Sequence, residues 1–412
     1  MIQVAILGHG VVGSGVAEVL RKNAASIAHK AGEAIEIKRI LDLREFPDSP
    51  YAELFTKNFE DILHDPEIRI VVETMGGLRP AYDFVKSCLL ADKSVVTSNK
   101  ELVAAKGDEL LEIAKDRNLN FLFEASVGGG IPILRPIDQC LAANEVYEIA
   151  GILNGTTNFM LTKMIEEGMS FEDALHLAQK LGYAERDPSA DIDGHDACRK
   201  ICILASLAFG RHVYPDQVHT EGISRVSAED VQYAAAWDGA IKLIGRAVKQ
   251  PDGRLYAVVS PMLLPRSSLL AEVSGVFNGI MVRGDAIGDV VFYGQGAGKL
   301  PTASAVVADV IDEVKHIGAR KYLFWERGSA DYVVDYRGEE SALFLRLASS
   351  SPQAVRNQVH AAFGPITYIT YPTAPEDEVA FLSPRMKEKD LDAALEAMQG
   401  VTVRSRIRVA DL

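Results

Sequence analysis

The sequence predicts an α/β protein of three domains, and three patterns support this fold class. Through residues 1–134, short apolar strands alternate with amphipathic helices, which is typical of βαβ units and a parallel sheet. Residues 135–300 combine helices with longer strand-like runs, as in an α+β domain. After a polar stretch at residues 337–340, residues 341–412 follow a compact βαββαβ order. We call this last region the C-terminal module.

The first domain is predicted from hydrophobic periodicity. Its strands are expected at residues 2–7, 35–41, 68–74, 94–97 and 120–124, and its helices at 10–22, 81–91 and 107–117. A later helix at 304–315 is expected to return to this domain, so that residues of about 301–320 complete it.

The remaining elements follow from the same periodicities. In the middle domain, strands are predicted at 144–153, 255–264, 275–283 and 290–293, and helices at 157–167, 171–181 and 197–209. In the C-terminal module, strands are predicted at 342–348, 366–371, 378–382 and 401–409, and helices at 353–363 and 388–398. This order indicates a ferredoxin-like module.

Composition excludes several classes of protein. The 412 residues carry a formal net charge of −14, and phosphate contacts with nucleic acid need clustered Lys and Arg. No apolar run approaches the roughly 18 residues of a membrane span, and we find no secretory signal. Four scattered cysteines are too few for a disulfide framework, and Cys198 and Cys202 fit buried thiols better than a metal site. We therefore expect a cytoplasmic protein without nucleic-acid or membrane partners.

A glycine-rich turn follows the first predicted strand. Gly8 and Gly10 allow a tight turn and close approach of the backbone to a pyrophosphate, and Gly13 allows the next helix to pack on the strand. The N–H groups at the start of that helix, around Val11 and Val12, favour an anion. The position between strand and helix predicts a Rossmann dinucleotide-binding domain; the alternative is a turn that binds nothing.

Asp42 and Arg44 follow the second predicted strand. A carboxylate at this position accepts hydrogen bonds from the adenosine ribose, whereas an arginine attracts a 2′-phosphate. Asp42 lies farther from the glycines than usual, and a solvated charged turn is the alternative. The choice between NAD and NADP therefore stays open.

Polar residues also follow the third and fourth predicted strands. Thr74, Thr97 and Lys100 are expected at the carboxyl edge of the sheet, where open α/β sheets bind ligands. Lys100 is a candidate for contact with cofactor phosphate or with a substrate carboxylate; the alternative is a solvated lysine.

Two further glycine loops are candidates for ligand contact. The segment from Glu124 to Ile133 combines one carboxylate with three glycines, and exposed carbonyls beside a carboxylate suit a hard cation. The loop around Gly296 permits close backbone approach to a ligand. The alternatives are a close-packed turn for the former and a flexible surface loop for the latter.

The segment of residues 182–200, which we call the acidic segment, carries the strongest chemical signal. Asp196 and Lys200 are four residues apart at the start of an apolar helix and share one face. A lysine beside a carboxylate can donate a proton to a carbonyl oxygen as hydride arrives, and Glu185 and Asp196 can bind an ammonium group. The alternative is an exposed salt bridge. His195 is expected to precede the helix as a structural residue.

Six motifs together resemble the homoserine dehydrogenase family: GxGxVGxG, TSNKELVA, EASVGGGIPIL, ILNGTTNFML, LGYAERDPSADIDGHDACRK and YGQGAGKLPTASAVVAD. The resemblance implies NAD(P)-dependent conversion between aspartate 4-semialdehyde and homoserine in amino-acid biosynthesis. It implies Lys200 as proton donor and a cofactor contact at Lys100. It also implies that the middle domain, residues 135–300, binds substrate and dimerises. The positions that it further implies are substrate contacts at Glu185, Asp196 and Gly182, a ligand contact at Gly296, and a sodium or potassium site at Glu124 and the backbone of Val127, Gly129 and Ile131.

The C-terminal module resembles an ACT domain, with one departure. ACT domains usually have an Asp-x-Pro-Gly-type turn after the first strand, whereas this chain has Ser351, Pro352 and Gln353. Pro352 lacks an N–H and Gln353 replaces the glycine. We therefore expect weak or absent threonine inhibition, and a module that serves assembly of a homodimer or homotetramer. Without a kinase domain, a monofunctional enzyme is expected.

Two other classes compete with this interpretation. A dihydrodipicolinate reductase or an aspartate dehydrogenase is a second enzyme hypothesis, against which Glu185, Asp196 and Lys200 argue. A nonenzymatic amino-acid sensor would combine a nucleotide-binding domain with an ACT module, but it predicts decayed catalytic positions, and these are intact.

Overall fold

The computed structural model describes residues 1–321, 323–410 and 412, and the chain divides into two compact units. The first unit comprises Met1–Val146, Cys202–Pro215 and Gly294–Ser329; the second comprises Tyr147–Ile201, Asp216–Tyr293 and Ala330–Leu412. Among the helices of the described residues, none has the length and apolar composition of a membrane span.

The first unit contains the predicted parallel sheet. Its strands are β1 (Ile2–Leu7), β2 (Ile35–Leu41), β3 (Phe55–Thr56), β4 (Ile68–Glu73), β5 (Ser94–Thr97) and β6 (Phe121–Leu122). Their order is β3-β2-β1-β4-β5-β6, with every pair parallel. The order reverses between β1 and β4, and ligands of open α/β sheets bind at such a switch point.

Helices cover the sheet of the first unit: Val11–Lys22, Ala24–Ala31, Glu60–Leu63, Ala81–Leu90, Lys100–Asp116 and Lys299–Lys315. The core joins the strands to the first and last of these helices through fully buried side chains such as Val4, Val16 and Val306. A Cβ atom on Gly15 would lie 2.9 Å from the carbonyl oxygen of Lys299, so glycine allows the two helices to approach closely.

The second unit is built on a mixed sheet. Its strands are β7 (Val146–Ile152), β8 (His219–Thr220), β9 (Gly239–Lys249), β10 (Leu255–Pro265), β11 (Phe277–Gly284), β12 (Gly288–Gln295), β13 (Glu340–Ala348), β14 (Tyr368–Ile369), β15 (Glu378–Leu382), β16 (Met386–Lys387) and β17 (Thr402–Val409). The main path runs β12-β11-β7-β9-β10-β17-β13-β15-β14. Its helices are Gly155–Glu167, Phe171–Lys180, Ser189–Ile192, Ala228–Ala236, Pro352–Phe363, Glu388–Glu396 and the part of His195–Phe209 up to Ile201; the rest of that helix belongs to the first unit.

The C-terminal module has the predicted βαββαβ order, with the short β16 in addition. Its strand β17 pairs with β13 along its length and with β10 at Arg408 and Val409. Ala410 lies in the hydrophobic core of the second unit. The module therefore continues the sheet of this unit.

Four predicted helix starts were wrong. The helix predicted at 107–117 begins at Lys100, where the Asn99 side chain caps it by accepting the N–H of Leu102 at 3.1 Å. Gly107 lies inside this helix, where a Cβ atom would be 2.8 Å from the Trp325 ring. The other three helices begin earlier than predicted, at Gly155, His195 and Lys299.

Strand β9 was missed because it carries three charged residues, Lys242, Arg246 and Lys249, and charged residues usually mark exposed chain. Lys242 is 2% exposed and donates to the carbonyl oxygen of Val273 at 2.7 Å. Arg246 donates to Glu148 at 2.7 Å. Charged residues are tolerated in a buried strand when such partners satisfy them.

Other predicted elements are shorter in the structure. Of the strand predicted at 366–371 only β14 forms, and the strand predicted at 120–124 reduces to β6 because a 3-10 turn begins at Glu124. The polar stretch at 337–340 overlaps a 3-10 turn, Tyr336–Gly338, that leads directly into β13.

Candidate active site

The glycine turn of residues 8–13 connects β1 to helix Val11–Lys22. Gly8 has a φ of +91°, a conformation that favours glycine. A Cβ atom on Gly13 would lie 2.0 Å from the Gly8 carbonyl oxygen, so only glycine allows the helix to approach the turn. Gly10 has no side chain with which to cap the helix. The first N–H groups of the helix therefore suit an anion.

Thr74 holds the glycine turn in place. Its hydroxyl lies 2.9 Å from the Gly8 carbonyl oxygen and 3.1 Å from that of Leu7. A cleft of about 470 Å³ lies beside it, lined by Gly8, Gly10, Leu41, Asp42, Leu43, Arg44, Lys57, Phe59, Thr74, Met75, Pro80 and Phe84. This cleft lies at the switch point of the sheet and is large enough for the adenosine part of a dinucleotide.

Asp42 and Arg44 form an ion pair at the wall of this cleft. The Asp42 carboxylate accepts the His9 N–H at 2.8 Å, the Arg44 N–H at 3.0 Å, and two guanidinium hydrogen bonds at 3.0 and 2.8 Å. The guanidinium holds the pKa of this carboxyl well below its usual range. The Arg44 side chain remains 62% exposed.

Glu73 was not predicted, yet it organises the carboxyl ends of β4 and β5. It accepts the Thr97 hydroxyl at 2.6 Å and the Met75 N–H at 2.7 Å, and burial raises its pKa. Thr97 is fully buried, so its hydroxyl supports the loop. Lys100 lies at the first position of its helix, next to the capping Asn99.

In the loop from Glu124 to Ile131, the backbone carbonyls have the features of a cation site, whereas the Glu124 carboxylate does not. The Glu124 carboxylate accepts three backbone N–H groups, those of residues 133, 134 and 135, at 2.6 to 3.0 Å. In contrast, the carbonyl oxygens of Val127, Gly129 and Ile131 accept no hydrogen bond from other described residues. Among the residues that the structure describes, no three His, Cys, Asp or Glu side chains form a cluster that could hold a metal.

The loop around Gly296 lies against this backbone. A Cβ atom on Gly129 would be 2.5 Å from the Gly296 carbonyl oxygen, and the Gly130 N–H donates to the Gln295 carbonyl oxygen at 3.2 Å. The two predicted glycine loops therefore lie side by side in the first unit.

In the second unit, Lys200 and Asp196 form a buried pair. The Lys200 Nζ lies 2.7 Å from the Asp196 carboxylate, and the two side chains are 10% and 6% exposed. The Nζ also donates to the Leu153 carbonyl oxygen at 2.7 Å. The alternative, an exposed surface salt bridge, is wrong. A fixed ammonium group at this position can deliver a proton.

Two residues that sequence reasoning missed complete this cluster. The Asn154 side-chain amide donates to Asp191 at 2.7 Å and to Asp196 at 2.9 Å. Its oxygen accepts the Thr157 N–H at 2.8 Å and so caps helix Gly155–Glu167. Burial raises the pKa of Asp191. The signal that could have revealed Asn154 is the ILNGTTNFML motif, which served only for the resemblance.

Glu185 and Gly182 lie in the exposed part of the acidic segment. Gly182 has a φ of +77°, which allows the chain to turn after helix Phe171–Lys180. The backbone of this part is tied to the cluster because the Thr156 hydroxyl donates to the Tyr183 carbonyl oxygen at 2.6 Å. The Glu185 side chain is exposed.

Comparisons with known proteins identify the family of this chain. A family model for homoserine dehydrogenase matches residues 132–311, and a model for the NAD-binding domain of homoserine dehydrogenase matches residues 8–124. The homoserine dehydrogenase of Pseudomonas aeruginosa is 39% identical over 431 residues, covering 100% of this chain and 99% of the relative.

Solved structures give the same result. A homoserine dehydrogenase from Thiobacillus denitrificans matches with a TM-score of 0.88 and 38% identity, covering 100% of this chain and 98% of that one. A hyperthermophilic archaeal homoserine dehydrogenase in complex with NADPH matches with a TM-score of 0.66 and 29% identity, covering 76% of this chain and 97% of that one. The resemblance that the motifs indicated is thus confirmed, and the chain belongs to the homoserine dehydrogenase family of NAD(P)-dependent oxidoreductases.

Proposed function

We propose that Lys200 is the proton donor in the conversion between L-aspartate 4-semialdehyde and L-homoserine. The observation that carries this role is the buried Lys200–Asp196 pair, with 2.7 Å between its charged atoms. In reduction, hydride adds to the aldehyde carbon and the Lys200 ammonium gives a proton to the aldehyde oxygen, which forms the alcohol. In oxidation, the neutral amine takes the hydroxyl proton back.

A nicotinamide dinucleotide supplies or accepts the hydride when it is bound. The chain contributes the glycine turn, with Val11 and Val12 in the first helical turn, for the pyrophosphate, and Thr74 supports that turn. Thr97 ends β5 and Lys100 begins the next helix, so both lie at the carboxyl edge of the sheet, where open α/β sheets bind ligands. Gly296 is proposed as a further backbone contact.

We propose NADP as an accepted cofactor. Asp42 accepts four hydrogen bonds within the chain, which leaves this carboxylate little capacity to bind ribose hydroxyls. Arg44 and Lys57 place two cations on the cleft, and cations suit a 2′-phosphate. Replacing Arg44 by Ala should raise the NADP KM roughly tenfold, the effect of a lost charged hydrogen bond, and the NAD KM less than twofold.

Acidic groups support substrate binding. Asp191 and Asp196 share the Asn154 amide, and this side of the cluster suits the substrate ammonium. We assign Glu185 to the same ammonium and Gly182 to the backbone around the substrate. Lys100 is proposed to contact cofactor phosphate or the substrate carboxylate.

We propose a sodium or potassium ion on the backbone carbonyls of Glu124, Val127, Gly129 and Ile131. The last three of these carbonyls accept no hydrogen bond from the described residues and the Glu124 carbonyl accepts only a long one, 3.5 Å from the Val127 N–H. Such buried carbonyls fit a monovalent cation, whereas the Glu124 carboxylate is occupied by N–H groups. Activity in sodium, potassium and tetramethylammonium buffers of equal ionic strength tests this site.

A homodimer or homotetramer and a cytoplasmic location stay predictions from the sequence. The C-terminal module is proposed to serve assembly and to respond weakly or not at all to threonine. Threonine titration at millimolar levels, with light scattering of the full chain, tests both statements.

The deciding experiment is a spectrophotometric assay of homoserine oxidation, with NAD and NADP side by side. Turnover with either cofactor is expected. Absence of turnover with both, in a chain that is folded by circular dichroism, would remove the proposed reaction.

A further inference from the structure

Arg408 on β17 joins the C-terminal module to a loop of the second unit. Its guanidinium lies 2.7 Å from Glu388 within the module and 2.8 Å from Glu221. The Arg408 side chain is 5% exposed and the Glu221 side chain 38% exposed, so the arginine end of this ion pair is buried and its Glu221 end is partly open to solvent. Glu221 belongs to residues 219–226, which we call the support loop.

The support loop is fixed at Glu221 by further contacts. The Glu221 N–H donates to the Val259 carbonyl oxygen at 2.7 Å, and the His219 ring nitrogen lies 2.5 Å from the Glu221 carboxylate. The position of this residue is therefore set jointly by β10 and by the C-terminal module.

The next residues of the support loop contact the acidic segment. The Ile223 N–H donates to the Ile192 carbonyl oxygen at 2.8 Å. A Cβ atom on Gly222 would lie 2.0 Å from that oxygen and 2.5 Å from the Cα atom of Asp193. Only glycine allows this approach, and a shift of the loop would move helix Ser189–Ile192.

That short helix carries Asp191, which shares the Asn154 amide with Asp196. A continuous set of contacts thus runs from Arg408 through Glu221, Gly222 and Ile192 to the acidic cluster. From this geometry we infer that Arg408 and Glu221 are positioning residues, through which the C-terminal module holds the acidic segment in place for substrate binding. The inference rests on the proposed substrate role of that segment.

The test compares two variants that each remove one carboxylate charge from an arginine of the module. Glu221→Gln keeps the shape of Glu221 but removes its charge, while Arg408 keeps Glu388. Asp392→Asn breaks the 3.0 Å pair with Arg406, which does not involve the support loop. We expect Glu221→Gln to raise the homoserine KM roughly 2- to 30-fold and to leave the cofactor KM within twofold. Asp392→Asn should leave both within twofold.

A second pair of variants acts on the backbone contact directly. Gly222→Ala displaces the Ile192 carbonyl and should raise the homoserine KM at least as much as Glu221→Gln. Gly338→Ala, where a Cβ atom meets no other atom within 4 Å, is the matched control. Hydrogen exchange of residues 187–195 should accelerate in Glu221→Gln and Gly222→Ala but not in the controls.

An unchanged homoserine KM and unchanged exchange in both test variants would overturn the inference, as would equal increases in the homoserine and cofactor KM. If the wild-type protein does not oxidise homoserine, the proposed function is wrong, which is a different outcome. In that case the exchange measurement alone still decides whether the module holds the acidic segment.

Discussion

The glycine turn of the first unit and the acidic segment of the second unit are built in different ways. The turn consists of backbone from six consecutive residues, and the contact of Gly13 with Gly8 depends only on the absence of a side chain. The acidic cluster joins side chains separated by 37 and 42 residues, through hydrogen bonds of Asn154 to two carboxylates. The turn is therefore sensitive to added volume, whereas the cluster is sensitive to changes of charge and hydrogen bonding.

The largest expected effect is that of Lys200→Ala. Removing a positioned general acid should lower turnover roughly 10²- to 10⁴-fold with the fold retained. Lys163→Ala, in the more exposed i,i+4 pair with Glu167, is the matched control and should stay within twofold. Turnover of Lys200→Ala within tenfold of wild type in steady-state assays would remove Lys200 from the mechanism.

Asn154→Ser tests whether the hydrogen bonds of Asn154 hold Asp191 and Asp196 in place for substrate binding. Serine still caps the helix, but the amide donor to Asp191 and Asp196 is lost. Hydrogen bonds to charged groups contribute about 1.5–3 kcal/mol, so the homoserine KM should rise roughly 10- to 100-fold. Asn99→Ser, the same change at a helix cap of the first unit, should leave this KM within twofold. Similar homoserine KM values for the two variants would contradict the assignment.

Two alanine variants of the glycine turn should separate stability from binding. Gly13→Ala forces a Cβ atom against Gly8 and should lower the free energy of unfolding by about 1–3 kcal/mol. Gly10→Ala meets open space, so its stability should stay near wild type while the cofactor KM rises several-fold. Urea unfolding and cofactor titration measure the two effects. Equal stability of both variants would show that the turn tolerates added volume.

The effect expected to leave activity unchanged concerns Glu313 in helix Lys299–Lys315. Burial raises the pKa of this carboxyl well above its ordinary value, so the folded state keeps a proton that the unfolded chain releases above about pH 4.5. Its contribution to stability is full below that pH and decreases as the pH rises.

In Glu313→Gln the side chain is neutral at every pH, so the contribution of Glu313 to the pH dependence of stability is lost. Relative to wild type, its free energy of unfolding should increase between pH 5 and pH 8, by at most about 1.4 kcal/mol for each pH unit. Urea unfolding at several pH values measures the difference, with the exposed Glu112→Gln as control. A constant difference across this pH range would show that Glu313 ionises normally.

The elements that were predicted correctly are those encoded by short, local sequence patterns. Strand β5 and the glycine turn were located from a few consecutive residues, because apolar runs and glycines act locally. Asn154 and Asp191 were missed because their roles depend on contacts between distant parts of the chain. Strand β9 was missed for a related reason: Lys242 and Arg246 look like surface residues until their buried partners are known.

Strand β17 has a consequence for the order in which the chain folds during synthesis. Its partner in the second unit, β10, is made long before residues 402–409 leave the ribosome. Until then β10 has no partner strand at the positions that later pair with Arg408 and Val409. Unpaired strand edges promote association with other chains. Completion of this unit is thus a late event, and synthesis that stops before residue 402 should yield aggregation-prone chains.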